Sequence, residues 1–173
     1  MPEVGICAQT RQLPLGRSDP KFNPRLALRP NPPPVEGMPA PTDKSTDRFS
    51  EAPISRLIGF EVAPATDDEI TLVALDAGQQ HANPMGRVHG GVISALADAA
   101  MGTAYGRVLL DEEDFSTIEL KVNFMRPVKI GRIVARARMV QRGLRIGFLD
   151  CEIHDRRGKL VATATCTCMT ISS

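Results

Sequence analysis

Hydrophobic and polar positions along the chain fall into blocks of two periods, and their order predicts a fold. Ile54, Leu57 and Ile58 are spaced for a short helix that ends at Gly59, with Pro53 tolerable in its first turn. Residues 59–66 (GFEVAPAT) and 69–76 (EITLVALD) alternate apolar and polar around Thr66, Asp67 and Asp68, which predicts two strands joined by a tight turn. Residues 77–88 are polar, aperiodic and broken by Gly and Pro, the pattern of a loop long enough to carry function. A long helix is predicted over 91–109. Val92, Leu96, Ala99, Thr103 and Gly106 lie near one face and Ile93, Ala97, Ala100 and Ala104 beside it. A surface this apolar and small must be wrapped by something. After an acidic turn at 111–114, alternation returns in 115–126, 130–141, 145–155 and 159–171. Turn signals at Pro127, at Arg142 with Gly143 and at 156–158 leave short connections, which predict antiparallel neighbours. The expected architecture is α+β: one antiparallel sheet of six strands burying a single central helix.

Composition narrows the class. The 173 residues carry 21 Lys plus Arg against 20 Asp plus Glu, so no chain-wide basic field recommends nucleic acid as a partner. No run of about 18 apolar residues suggests a membrane span, and the expectation is a soluble globular protein. Ten of the fourteen prolines fall in residues 1–50, where no periodicity survives. Residues 1–48 are therefore expected to be a Pro-rich extension that does not fold alone, and residues 49–173 the folded domain. Arg11, Arg17 and interspersed prolines interrupt any secretory leader, and a start of translation at Met38 would leave 1–37 as an upstream extension. Four cysteines in a chain of this length do not read as a disulfide framework, which fits a reducing cytoplasm. Cys166 and Cys168 share one face of the last strand and read as small core residues. His81 and His89 lack metal-ligand partners at the required spacing, and no Gly-x-Ser-x-Gly elbow occurs. No metal or redox cofactor is expected.

The candidate chemistry lies in HANPMGRVHGGVISALADAAMG, which holds Asn83, Gly86, His89, Gly90, Gly91 and Asp98. With the following FSTIELKVNFMRPVKIG, this run resembles the acyl-CoA thioesterases of the phenylacetate-degradation (PaaI) type, over roughly residues 50–171. The resemblance implies a hotdog fold, an acyl-CoA substrate, and a dimer with active sites at the subunit interface.

Elementary chemistry agrees with it. A thioester carbonyl under attack develops an oxyanion, and amides at a helix N-terminus suit it because they lack intrahelical partners and sit at the positive end of the dipole. Gly90 and Gly91 stand at that start and, without a Cβ, admit a bulky thioester. Asp98 lies in an otherwise apolar helix, where a carboxylate is costly unless paired, hydrated or used. It is expected to act as general base on water or as nucleophile. Asn83 either orients the water or carbonyl, or is a turn residue before Pro84. His89 either bonds the thioester or fixes the shape of the loop. Thr117, with Ser116 as its rival neighbour, stands where the family carries a hydroxyl that helps hold water. Gly91 and Asp98 are separated along their helix by roughly 10 Å, too far to act on one carbonyl, so two antiparallel copies are expected to build each site, as a homodimer or a tetramer.

Basic residues crowd the stretch between Leu120 and Leu149, which holds no acidic one. Arg126, Arg142 and Arg145, at strand ends, are candidates for the phosphates of coenzyme A, whereas Arg132, Arg136 and Arg138 read as solvated strand faces. Two rival functions remain at this point: a hotdog module that binds acyl-CoA without turnover, and a hydratase or dehydratase, whose His and acidic residue take a different spacing. The acyl group, aryl or medium-chain by resemblance, depends on side chains such as Met101, Tyr105 and Phe124.

Overall fold

Gly59 closes the first helix as its spacing predicts. It takes a left-handed φ of 88° and donates its N–H to Ser55 O at 2.7 Å, ending α1 (Pro53–Ile58). The computed structural model describes residues 49–63, 70–110 and 112–172. The expectations for the Pro-rich segment 1–48, for the turn at Thr66, Asp67 and Asp68, and for Asp111 lie outside these residues. Beyond α1 run β1 (Phe60–Val62), β2 (Thr71–Ala77), a 3-10 turn (Gln79–His81), α2 (Gly90–Gly106), β3 (Glu113–Phe124), β4 (Gly131–Arg142), β5 (Ile146–Asp155) and β6 (Leu160–Ser172). All strand pairings are antiparallel, in the order β1-β2-β4-β5-β6-β3. This six-stranded sheet curls around α2, which packs against β2 through β6, so the hotdog architecture is the one present.

One expectation about adjacency fails. A short connection at Pro127 predicts that β3 and β4 pair, yet β3 pairs with β6 and lies three places away from β4. Residues 125–130 make this crossing possible. Six extended residues reach about 20 Å, and three strand spacings amount to about 14 Å. The consequence is that β3, twelve residues long, is an edge of the sheet.

The helix surface is small because the sheet closes tightly over it. Leu96, Ala97, Ala100 and Met101 have no exposed surface, and they share one core cluster with Val73, Ile133, Leu149 and Cys166, which have none either. Removing such packed groups would forfeit both hydrophobic transfer and contact energy. Tyr105 is fully buried, its hydroxyl 2.8 Å from Thr170 Oγ1 and its ring edge-on to Phe115. Burial pushes the Tyr105 phenol above its ordinary range. Met101 and Tyr105 are thus core residues of their own chain, whereas Phe124 remains 55% exposed. No described helix is long and apolar enough to cross a membrane.

Candidate active site

The loop between β2 and α2 is pinned by a histidine that the sequence offered only as a metal ligand to be dismissed. His81 is 7% exposed; its Nδ1 accepts from Gly78 N–H at 3.0 Å and its Nε2–H donates to Ile58 O at 2.9 Å. Both ring nitrogens are engaged, which defines the tautomer and ties the loop to the end of α1. Its carbonyl in turn accepts from His89 N–H at 2.8 Å. Asn83 shapes the outer part of the loop. Its Oδ1 accepts from Met85 N–H and Arg87 N–H at 3.0 and 3.1 Å, and Gly86 takes the left-handed φ of 68° that the turn needs. The Oδ1 is therefore committed to the turn, leaving the amide N–H groups of Asn83 as what a substrate can meet.

His89 is the N-cap of α2, and its Nδ1 accepts from Gly91 N–H at 2.9 Å. A histidine here fills the place usual for Ser, Thr, Asp or Asn, and in this structure its ring caps the helix. Val92 and Ile93 donate to His89 O. Of the amides that open the helix, Gly90 N–H has no partner among the described residues. The space over it is bounded by Phe124: a Cβ at Gly90 would lie 3.2 Å from the tip of that ring.

Asp98 is half-buried, and its Oδ1 accepts from Thr117 Oγ1–H at 3.2 Å. Ser116, the rival hydroxyl, is exposed and reaches only the Thr117 carbonyl. A β-bulge explains how Thr117 reaches Asp98. Thr117 pairs with Cys168 and Glu119 with Thr167, so Ile118 is an extra residue in β3. Phe115 and Thr117 point inward before the bulge, and Val122 and Phe124 after it, a shift from odd to even positions. Cys168 Sγ lies 3.8 Å from Thr117 Oγ1, and Cys166 Sγ 3.8 Å from Cys168 Sγ. The contact with Cys168, with burial after it, holds the Cys166 thiol far above the ordinary range; burial, joined by the neighbouring Asp150 and Glu152 carboxylates, pushes Cys151 up to about 12. Cys151 and Cys166 are protonated core residues, not nucleophiles.

The arginines separate. Arg126 is exposed and donates to Leu160 O at 2.9 Å, and Arg145 is exposed. Arg142 is only 12% exposed and bonds Val108 O, just past the C-terminal end of α2, and Glu113 at 3.5 Å. Its guanidinium holds the end of the helix roughly 25 Å from the helix start, where the candidate loop lies. Arg132 pairs with Glu61 and Asp76, and Arg138 with Asp150, as strand-face residues do. Arg87 and Lys129, the latter one of the basic residues of the 120–149 stretch, lie next to the loop instead. Both are exposed, and they face each other across an antiparallel bridge. A basic residue on each side of the loop was the available signal, but only the crossing of residues 125–130 brings them together.

The model of the Thioesterase superfamily matches residues 85–162, which span the loop end, α2, Asp98 and Thr117. A phenylacetic acid degradation-related protein of Ralstonia eutropha, whose structure is solved, is 30% identical, with 72% of this chain and 98% of that chain covered and a TM-score of 0.66. The medium/long-chain acyl-CoA thioesterase YigI of Salmonella typhimurium is 30% identical over 95 residues, 47% of this chain and 61% of that protein. A curated Caenorhabditis elegans relative is 33% identical over 85 residues, and there the chain spans about half of the relative's length, 50%. With the sheet, the helix and the Gly-to-Asp spacing already in place, the chain belongs to the thioesterase superfamily, in its phenylacetate-degradation (PaaI) type.

Proposed function

We propose that the protein hydrolyses an aryl or medium-chain acyl-CoA to the free acid and CoA. The observation that carries this reading is Asp98, a half-buried carboxylate held by Thr117 on an unpaired sheet edge, on the same helix as a free amide at Gly90. Either Asp98 takes a proton from the water that attacks the carbonyl, and the C–S bond breaks with that proton passing to the departing thiolate, or the carboxylate itself attacks and expels the thiolate. The second route leaves a mixed anhydride that water cleaves to the free acid and Asp98 while protonating the thiolate. Gly90 N–H stabilises the oxyanion, joined by Gly91 N–H when the exposed His89 ring swings off it. Asn83 orients the carbonyl or the water through its amide. Arg87 and Lys129, exposed beside the loop, and the exposed Arg126 are suited to the phosphates of CoA. Water is the co-substrate, and neither metal nor redox cofactor takes part.

The functional unit in this reading is a homodimer, formed by antiparallel pairing of the two β3 edges and open to further assembly into a tetramer. A twelve-residue edge with Ile118 and Phe124 more than half exposed is the kind of strand that proteins cover. Pairing there would bring Asp98 of one protomer toward the helix start of the other. The test is release of CoA thiol from a panel of aryl and alkyl acyl-CoAs. Turnover of at least one class at a rate above about 1 per second is expected. Binding of the panel without thiol release would replace the hydrolase by a non-catalytic acyl-CoA module.

A further inference from the structure

The mechanism leaves unused a pair of buried thiols, one of which meets the threonine that holds its carboxylate. We infer that Cys168, on β6, is a positioning residue for Asp98, acting through Thr117 at the end of a one-directional chain of hydrogen bonds; this rests on the hydrolytic reading above. The direction follows from a count of protons. Thr117 has one hydroxyl hydrogen, and an ionised Asp98 can only accept, so that hydrogen belongs to the 3.2 Å contact between them. Thr117 Oγ1 then has only lone pairs to offer Cys168, 3.8 Å away, and the thiol must be the donor. With its hydrogen turned to Thr117, Cys168 Sγ is left to accept from Cys166 S–H, also at 3.8 Å. The order is Cys166 S–H to Cys168 S–H to Thr117 O–H to Asp98. Each donor polarises the next, and the chain ends on the anion, the arrangement in which cooperativity strengthens the last bond.

Geometry makes the chain rigid. Cys166 and Cys168 have no exposed surface, and Cys168 is the register partner of Thr117 at the bulge. A side chain at 168 that donates nothing would leave the Thr117 hydroxyl less firmly oriented at the bulge. Asp98 would then lose the contact that fixes its reactive oxygen.

Two readouts test this, one independent of turnover. In the infrared the S–H stretch of Cys168, assigned by difference against Cys168→Ser, should lie below that of a free thiol and move up in Thr117→Val, which removes its acceptor. In kinetics Cys168→Ala should lower kcat about three- to tenfold at unchanged KM, Cys168→Ser should restore it to within about twofold, and Cys168→Ala should cost nothing further in a Thr117→Val background. A Cys168 band that ignores Thr117→Val, or losses that add in the double variant, overturns the inference. Should Asp98→Asn prove as active as the unaltered protein, the hydrolytic role falls, while the infrared band still decides whether Cys168 donates to Thr117.

Discussion

Asp98→Asn is expected to lower kcat for the best acyl-CoA by two or more orders of magnitude, at least about 2.7 kcal/mol of transition-state stabilisation, with KM little changed. The substitution is nearly isosteric and keeps an oxygen for Thr117 to bond, so the pair on α2 and β3 survives in shape. What disappears is the only property an amide lacks, the ability to take a proton or attack a carbonyl as an anion. Thiol release by the two proteins, alongside thermal unfolding, checks both halves. Equal activity in the variant would remove Asp98 from the chemistry.

The largest effect on stability is expected at Gly147, far from any reacting atom. A Cβ there would run into Tyr105 Cε2 and lie 2.9 Å from Cδ2, well inside contact distance. The ring cannot give way, because Tyr105 has no exposed surface, holds Thr170 through its hydroxyl and packs edge-on to Phe115. Gly147 in β5 is thus a glycine that lets an aromatic ring reach a strand backbone. Gly147→Ala should destabilise the fold by about 3 kcal/mol or more, at the upper end of overpacking costs. By contrast nothing lies within 4 Å of a Cβ at Gly86, where only its left-handed φ of 68° is at stake. Chemical denaturation of Gly147→Ala reads the difference; a loss below about 0.5 kcal/mol would mean that Tyr105 is more loosely held than its contacts require.

Period and punctuation carry most of the fold in the sequence. Gly59, the loop before the helix, the apolar helix itself and four alternating strands all fall within a few residues of their expected places, because each depends on local patterning. Two features depend on long-range closure and escape that reading. The short connection at Pro127 looks like a hairpin, yet it spans the curled sheet and leaves β3 as an edge. The inward set of β3 also changes phase at Ile118, and the trace of it was visible: Phe115 is odd, while Leu120, Val122 and Phe124 are even. At the candidate site the sequence carries Asp98, the glycines and Asn83 through spacing. It is silent on which hydroxyl meets Asp98, on the capture of Gly91 N–H by His89, and on the inward turn of Arg142, since each is a side-chain contact set by packing.

The central claim is that each reacting site takes its carboxylate from one protomer and its helix-start amide from the other, and mixing two inactive variants tests it directly. Asp98→Asn removes the carboxylate. Gly90→Pro removes the Gly90 N–H at the first helical position, where proline is tolerated, and His89 before it already has the extended ψ of 139° that a following proline prefers. Refolded together in equal amounts, the two chains should recover about a quarter of the unaltered activity, because half of the dimers are mixed and each mixed dimer holds one intact and one doubly defective site. Recovery near that level, from variants inactive apart, is the predicted result; mixed dimers that form but release no CoA would contradict it and place the whole site within one chain.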